Sequence, residues 1–187
     1  PPYTTPVYIN APYGDPALTP LAQAETWQWH VLPNDLLWHS YLAGAKESRI
    51  SGFWFEETNS NNALLDVSLG GRSSLIRYGT YNEGRSEGWE LQMEGAAVLR
   101  LNLDNDWDFD LSDYRFGVPV IYARGNSQWK FSYYHLSSHL GDELAIREGN
   151  LASRINYSRD VLVLGYSLFP VEALRLYAEM GYAFDND

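Results

Sequence analysis

W-E-L-Q-M-E-G-A-A-V-L-R-L-N-L-D, Trp89 to Asp104, has no helical period; its residues alternate. Trp89, Leu91, Met93, Gly95, Ala97, Leu99, Leu101 and Leu103 form one row without a charge. Glu90, Gln92, Glu94, Arg100, Asn102 and Asp104 form the other, interrupted by Ala96 and Val98. A period of two is the signature of a β-strand with two unlike faces. Strands of soluble proteins usually run about 5–6 residues, and this row is much longer.

The same pattern recurs down the chain. Tyr114, Phe116, Val118, Val120 and Tyr122 share a face opposite Asp113 and Arg115. Leu174, Leu176, Ala178, Met180, Tyr182 and Phe184 oppose Arg175, Tyr177 and Glu179. About eight strands are expected, near 49–57, 62–70, 72–80, 88–103, 109–123, 127–139, 155–168 and 172–184. Turn residues separate them at Asn59–Asn62, Gly70-Gly71, Asn82–Gly88, Asp104–Asp108, Gly125-Asn126 and Pro170. Before them, residues 1–48 read as a proline-rich arm followed by a short helix over Leu36–Lys46, capped by Asn34 or Asp35. Residues 49–187 form the β-barrel. The opening P-P-Y-T-T-P resembles a trimmed N-terminus.

Which face points inward is not given by periodicity. A soluble barrel turns the apolar rows in, whereas a membrane barrel turns them to lipid and fills its interior with the charges. Long strands, aromatic residues at the ends of apolar rows, and unequal loops favour an antiparallel up-and-down transmembrane barrel. The turns at Gly125-Asn126 and Pro170 fall on one rim and the long loop His139–Arg154 on the other. The loop near 56–61 fits less well, because the strand count puts it with the short turns. Asp66, Arg77, Glu90, Glu94, Arg100, Asp113, Arg115, Arg159, Arg175 and Glu179 take inward positions and are expected to pair there. His30 and His39 fall outside the barrel strands.

Composition narrows the function. The chain has 187 residues, a net charge of −11 and 15% aromatic residues, among them 14 Tyr and 7 Trp. The acidic balance argues against a nucleic-acid partner. Tyr and Trp suit a surface that is apolar at one end and wet at the other. With no cysteine there is no disulfide framework, thiol nucleophile or thiolate metal site. No run of 18 apolar residues forms a transmembrane helix. The partners expected are outer-membrane lipid and a protein met through the N-terminal arm, and the location is the bacterial outer membrane.

Chemistry concentrates in Trp129–His139, W-K-F-S-Y-Y-H-L-S-S-H. Trp129, Phe131, Tyr133, His135, Ser137 and His139 share one face, so an aromatic row runs into a His-x-Ser pair near the rim. A base beside a hydroxyl is the core of a serine nucleophile, and the base needs an orienting acceptor. Asn156 shares parity with Leu162, Leu164 and Tyr166 on the next strand. The candidate catalytic set is therefore Ser137, His135 and Asn156, with Asp142 or Glu143 as the alternative orienter. Asp142 and Glu143, with His139, also form a weak candidate site for calcium.

Four segments carry a family resemblance: L-P-N-D-L-L-W-H-S-Y-L-A-G (32–44), Y-G-T-Y-N-E-G-R-S-E-G-W-E-L-Q (78–92), Y-Y-H-L-S-S-H-L-G-D-E (133–143) and N-Y-S-R-D (156–160). The chain from about Leu32 to Phe184 resembles a bacterial family known only as domain of unknown function 1207. The resemblance implies no activity. Members are longer, and this chain ends on Asp185-Asn186-Asp187 where outer-membrane barrels usually end on an aromatic residue, so a larger barrel is expected. The His135–Ser137 pair is also similar to that of outer-membrane phospholipase A and the lipid A 3-O-deacylase. The Asn-Gly that follows the serine in those enzymes is replaced here by Ser138-His139-Leu140-Gly141. That resemblance implies a lipid-facing acyl hydrolase. Three functions follow in order: a structural or assembly barrel, a lipid acyl hydrolase, and a pore.

Overall fold

The computed structural model describes residues 26–41, 47–58, 61–81, 85–149 and 156–186. Eight antiparallel strands form one sheet: β1 (Gln28–Val31), β2 (Ser51–Glu56), β3 (Ala63–Gly79), β4 (Gly88–Asn102), β5 (Asp108–Arg124), β6 (Ser127–Leu140), β7 (Tyr157–Val171) and β8 (Leu174–Asn186). From β3 to β8 each strand pairs with the next in sequence, the up-and-down order. One helix, α1 (Asp142–Arg147), sits in the long β6–β7 connection.

β1 and β2 both pair with the outer edge of β3, β1 along Ile76–Gly79 and β2 along Ala63–Ser68. They flank β3 end to end, and each runs antiparallel to it. The two edges of the sheet, β1/β2 and β8, therefore run in the same direction.

The sequence places six strands within a few residues of their observed bounds, β2 and β4 to β8. It differs in four places. Pro170, expected as a turn, lies within β7, and the turn follows at Glu172-Ala173. Gly70-Gly71 is not a turn: β3 runs unbroken from Ala63 to Gly79. A Cβ at Gly70 would meet the Gly95 carbonyl oxygen at 2.6 Å and the Ala96 methyl at 2.7 Å, so the glycine answers a close approach of β4 inside the sheet. With β3 whole, the β2–β3 loop moves to the rim of the β4–β5 and β6–β7 loops, and the misfit at 56–61 disappears. The eighth strand is instead β1, which contains His30, a residue expected outside the strands. The helix expected over 36–46 is absent from Leu36–Tyr41, which are irregular; 42–46, like residues 1–25, lie outside the described residues.

That irregular segment is not a free arm. Leu37 and Trp38 are buried with Ile121 and Ala123, and Tyr41 packs against them. The segment covers one face of the sheet, which is the charged one. Along β4 the inversion is plain: Glu90, Gln92 and Glu94 are buried, Glu90 at 1% exposure, while Trp89 beside it is 52% exposed. Lys130, Ser132 and Ser167 are buried on β6 and β7; Phe131, Leu162 and Leu164 are exposed.

The covered face is held by ion pairs. Arg77 reaches Glu90 at 2.5 Å and Asp35 at 3.0 Å. Arg72 and Arg115 both bind Glu94, the latter at 2.8 Å. Lys130 pairs with Glu179, and Arg100 with Asp66 at 2.7 Å. The covering segment uses the same groups. The Leu37 N–H donates to Glu90 at 3.0 Å, and Arg77 donates to the Asp35 carbonyl at 2.9 Å. Arg72 and Arg175 donate to the carbonyls of Trp38 (3.4 Å) and His39 (3.1 Å). Irregular backbone is tolerated at such a depth because the sheet's own side chains satisfy its polar groups.

Candidate functional site

Strand β6 carries the candidate chemistry on the open, apolar face. Its outward row runs from apolar to polar: Trp129, Phe131, Tyr133, His135, Ser137, His139. The β5 and β7 registers fix their neighbours. His135 lies opposite Phe116 on one side and Asp160 on the other; Ser137 lies between Tyr114 and Ser158. His139 packs its ring near that of Tyr114, centroids 6.0 Å apart.

The carboxylate that contacts His135 is Asp160, which the sequence reading did not single out. His135 Nδ1 stands 2.8 Å from Asp160 Oδ1, and the Tyr133 hydroxyl donates to the same oxygen at 2.7 Å. A carboxylate at Nδ1 selects the tautomer with the proton there and leaves a lone pair on Nε2. The His135 side chain is 43% exposed and Asp160 24%. Asn156 takes no part in this contact: it precedes β7, beyond Ser158, the partner of Ser137. A signal for Asp160 was present. It belongs to the same alternate row as Leu162, Leu164 and Tyr166, and a lone carboxylate in an apolar row is conspicuous.

Ser137 shares the face of His135 two residues on, the placement expected. No hydrogen bond joins the two among the described residues. Catalytic contacts of this kind often tighten only when substrate is bound. Asp142 and Glu143 open α1, where carboxylates suit the positive end of a helix. They do not approach His135. Among the described residues no three side chains of His, Cys, Asp or Glu come together as a metal site.

At the opposite rim the open face carries a second arrangement. Trp29, Tyr78, Trp89, Tyr122, Trp129 and Tyr166 are direct partners in succession from β1 through β3, β4, β5, β6 and β7. Rings meet within pairs, with centroids 5.0 Å apart for Trp29–Tyr78, 4.6 Å for Trp89–Tyr122 and 4.5 Å for Trp129–Tyr166. Trp and Tyr alternate without a break across six strands, on the rim of the tight turns. The sequence predicted flanking aromatics; only the register reveals a continuous row.

Beneath the covered face, Trp38 lies against two cations, Lys130 at 5.1 Å and Arg175 at 4.8 Å from its ring. Tyr41 stacks on Tyr177, centroids 4.4 Å apart, and donates to Glu179 at 2.5 Å. Burial, and then that hydrogen bond, push the Tyr41 phenol well above its ordinary value.

A family model described as "Protein of unknown function (DUF1207)" matches residues 19–187, and the chain belongs to that family. No curated protein and no solved structure matches it.

Proposed function

We propose that this member of the family is the wall of a bacterial outer-membrane β-barrel whose interior is filled by its own chain, with a structural or assembly role. The observation that carries the reading is the inversion of the two faces. A soluble sheet buries its apolar rows; here the Arg77–Glu90 and Arg72–Glu94 pairs are buried and the apolar rows are bare. Such a surface is stable against lipid, where backbone bonds are satisfied between strands and side chains need no water. The Trp–Tyr row supports a second point, the depth of insertion. Amphipathic rings collect at the level of the headgroups, so the row marks one interface. Residues 33–41 across the charged face argue against an open pore.

The test is reconstitution of the folded chain in lipid vesicles. Tight association that resists high salt and alkaline washing, with no ion conductance in planar bilayers, is the expected result. A folded chain that stays in solution without detergent would overturn the membrane reading. Conductance that changes with Glu90, Glu94 or Arg100 would favour the pore.

A second reading has its own observation. The His135–Asp160 contact stands on the open face among Phe116, Phe131 and Leu162, not with the other charges. Ionisable groups on a lipid-facing surface are expensive, and they mark functional sites by default. With Ser137 beside them they compose a lipid acyl hydrolase. An active serine is expected to react with a fluorophosphonate; labelling that persists in Ser137→Ala would dismiss it.

A further inference from the structure

We propose that Asp160 is the positioning residue of this hydrolase, and that its substrate class is the carboxylic ester of a membrane lipid whose acyl chains lie along β5–β7. The inference rests on the hydrolase reading and goes beyond it in naming the third residue and the bond.

Geometry supplies the third residue. The His135–Asp160 contact joins direct cross-strand partners, so two hydrogen-bonded strands hold it rigidly. Tyr133 donates to the same Asp160 oxygen and restrains the carboxylate from a second side. The carboxylate keeps Nδ1 protonated and leaves the lone pair on Nε2. Ser137 continues the same row of β6.

Depth supplies the bond. Ser137 lies eight residues from Trp129 on one strand. That is roughly 26 Å along the strand, or about 20 Å along the membrane normal at a typical barrel tilt. The apolar band of such barrels is about 25 Å tall. With the Trp–Tyr row at one interface, Ser137 comes within about 5 Å of the other, on the acyl side of the ester linkages of lipids.

The chemistry balances without a cofactor. The Ser137 hydroxyl proton passes to His135 Nε2 as Oγ bonds the ester carbonyl carbon and the carbonyl oxygen takes the electron pair. The carbonyl re-forms, the carbon–oxygen bond to the alcohol breaks, and the alcohol leaves with the proton from Nε2. Water repeats the two steps, releasing the fatty acid and restoring Oγ–H. Asp160 stays ionised throughout and steadies the imidazolium.

The experiment measures fatty-acid release by the detergent-folded chain, from dioctanoyl phosphatidylcholine in one arm and from lipopolysaccharide in the other. Folding of each variant is confirmed by circular dichroism. Release in either arm that vanishes in Ser137→Ala identifies the ester source. Asp160→Asn is then expected to lower kcat by about 100-fold or more with KM little changed, since it favours the wrong imidazole tautomer. Asp160→Glu is expected to recover part of that loss, and Asn156→Ala to behave as wild type. An Asp160→Asn variant that folds and turns over within threefold of wild type would overturn the role of Asp160 and leave the hydrolase standing. A loss confined to Asn156→Ala would do the same. No Ser137-dependent release in either arm would remove the hydrolase reading, and this inference with it.

Discussion

Arg77 and Glu90 face each other across β3 and β4, guanidinium on carboxylate at 2.5 Å, and both side chains are fully buried. Their chain neighbours Tyr78 and Trp89 are also direct partners, on the bare face. One step along two adjacent strands thus exchanges an ion pair for an aromatic pair, and the fold is the repetition of that step.

Removing one member of the pair leaves a buried charge. Glu90→Gln is expected to cost up to about 3–5 kcal/mol, because Arg77 loses its buried carboxylate and keeps only the part-exposed Asp35. Glu90 also accepts the Leu37 N–H, so the covering segment should loosen as well. Chemical denaturation in detergent measures the first effect, and proteolysis at residues 33–41 the second. Arg77→Met with Glu90→Leu removes both charges and is expected to cost much less. A double variant as unstable as the single one would mean that the loss comes from something other than the charge left unpaired.

Trp129 and Trp38 should report opposite environments. Trp129 belongs to the exposed Trp–Tyr row, and Trp38 is fully buried beneath the charged face. In vesicles carrying a quencher near the headgroups, Trp129→Phe is expected to remove quenchable emission and Trp38→Phe to remove emission that the quencher does not reach. Equal loss from both would place the Trp–Tyr row away from the interface.

Gly165 makes room for the indole. A Cβ there would meet Trp38 ring carbons at 3.2 and 3.3 Å and Lys130 Cε at 3.2 Å. Gly165→Ala needs only a small shift of the ring. Gly165→Leu is expected to expel Trp38, losing about 3–5 kcal/mol of packing, much as truncating a buried Trp does. A red shift of the buried tryptophan emission together with a lower unfolding midpoint would show it. An unchanged spectrum would mean that the segment is held by its backbone hydrogen bonds alone.

Tyr41 gives a pH dependence of known sign. Its phenol is held above the ordinary value by burial and by Glu179, so folding favours the neutral form. That contribution is complete below about pH 10, the unfolded value, and falls away as pH rises above it. Alkaline titration at 295 nm is expected to lack one ionising tyrosine near pH 10 until the chain unfolds. Tyr41→Phe should weaken this alkaline loss of stability. A wild-type and variant difference curve with a transition near pH 10 would show Tyr41 to be exposed.

The strands were legible where one rule governed every residue. On β4 the row from Trp89 to Leu101 and its charged counterpart stand as read, because a strand with a bare apolar row on one side and ion pairs on the other cannot slip by one residue without inverting both. Gly70-Gly71 misled because two glycines are ordinarily a turn, whereas here Gly70 makes way for Ala96 on the paired strand, a long-range cause with no local trace. Residues 36–41 misled in the opposite sense. Their apolar spacing suits a helix, but Glu90, Arg72 and Arg175 satisfy their backbone groups instead. At the candidate site the sequence correctly placed His135 and Ser137 on one face. There the sequence named Asn156, with Asp142 or Glu143 as the alternative; the His135–Asp160 contact comes from the β6–β7 register, which alternation alone leaves open by any even number of residues.

The direction of the sheet's edges leads to one more expectation. β1, β2 and β8 all run opposite to β3, so among the described residues the sheet begins and ends on strands of the same sense. Joining these edges directly would make a parallel pair. Copies of the chain set side by side in one orientation would meet in parallel too. An antiparallel barrel built on this sheet therefore needs an odd number of further strands, the first pairing with β8. Without them, alternate amides of β8 have no strand partner among the described residues. Hydrogen exchange on the folded chain is expected to show fast alternate amides over Leu174–Asn186, beside uniform protection over Tyr157–Val171. Uniform protection of β8 in this chain alone would mean that its edge is already paired, either in parallel or by residues outside those described. Mixing in an antiparallel strand with an alternating apolar and polar row should then change nothing.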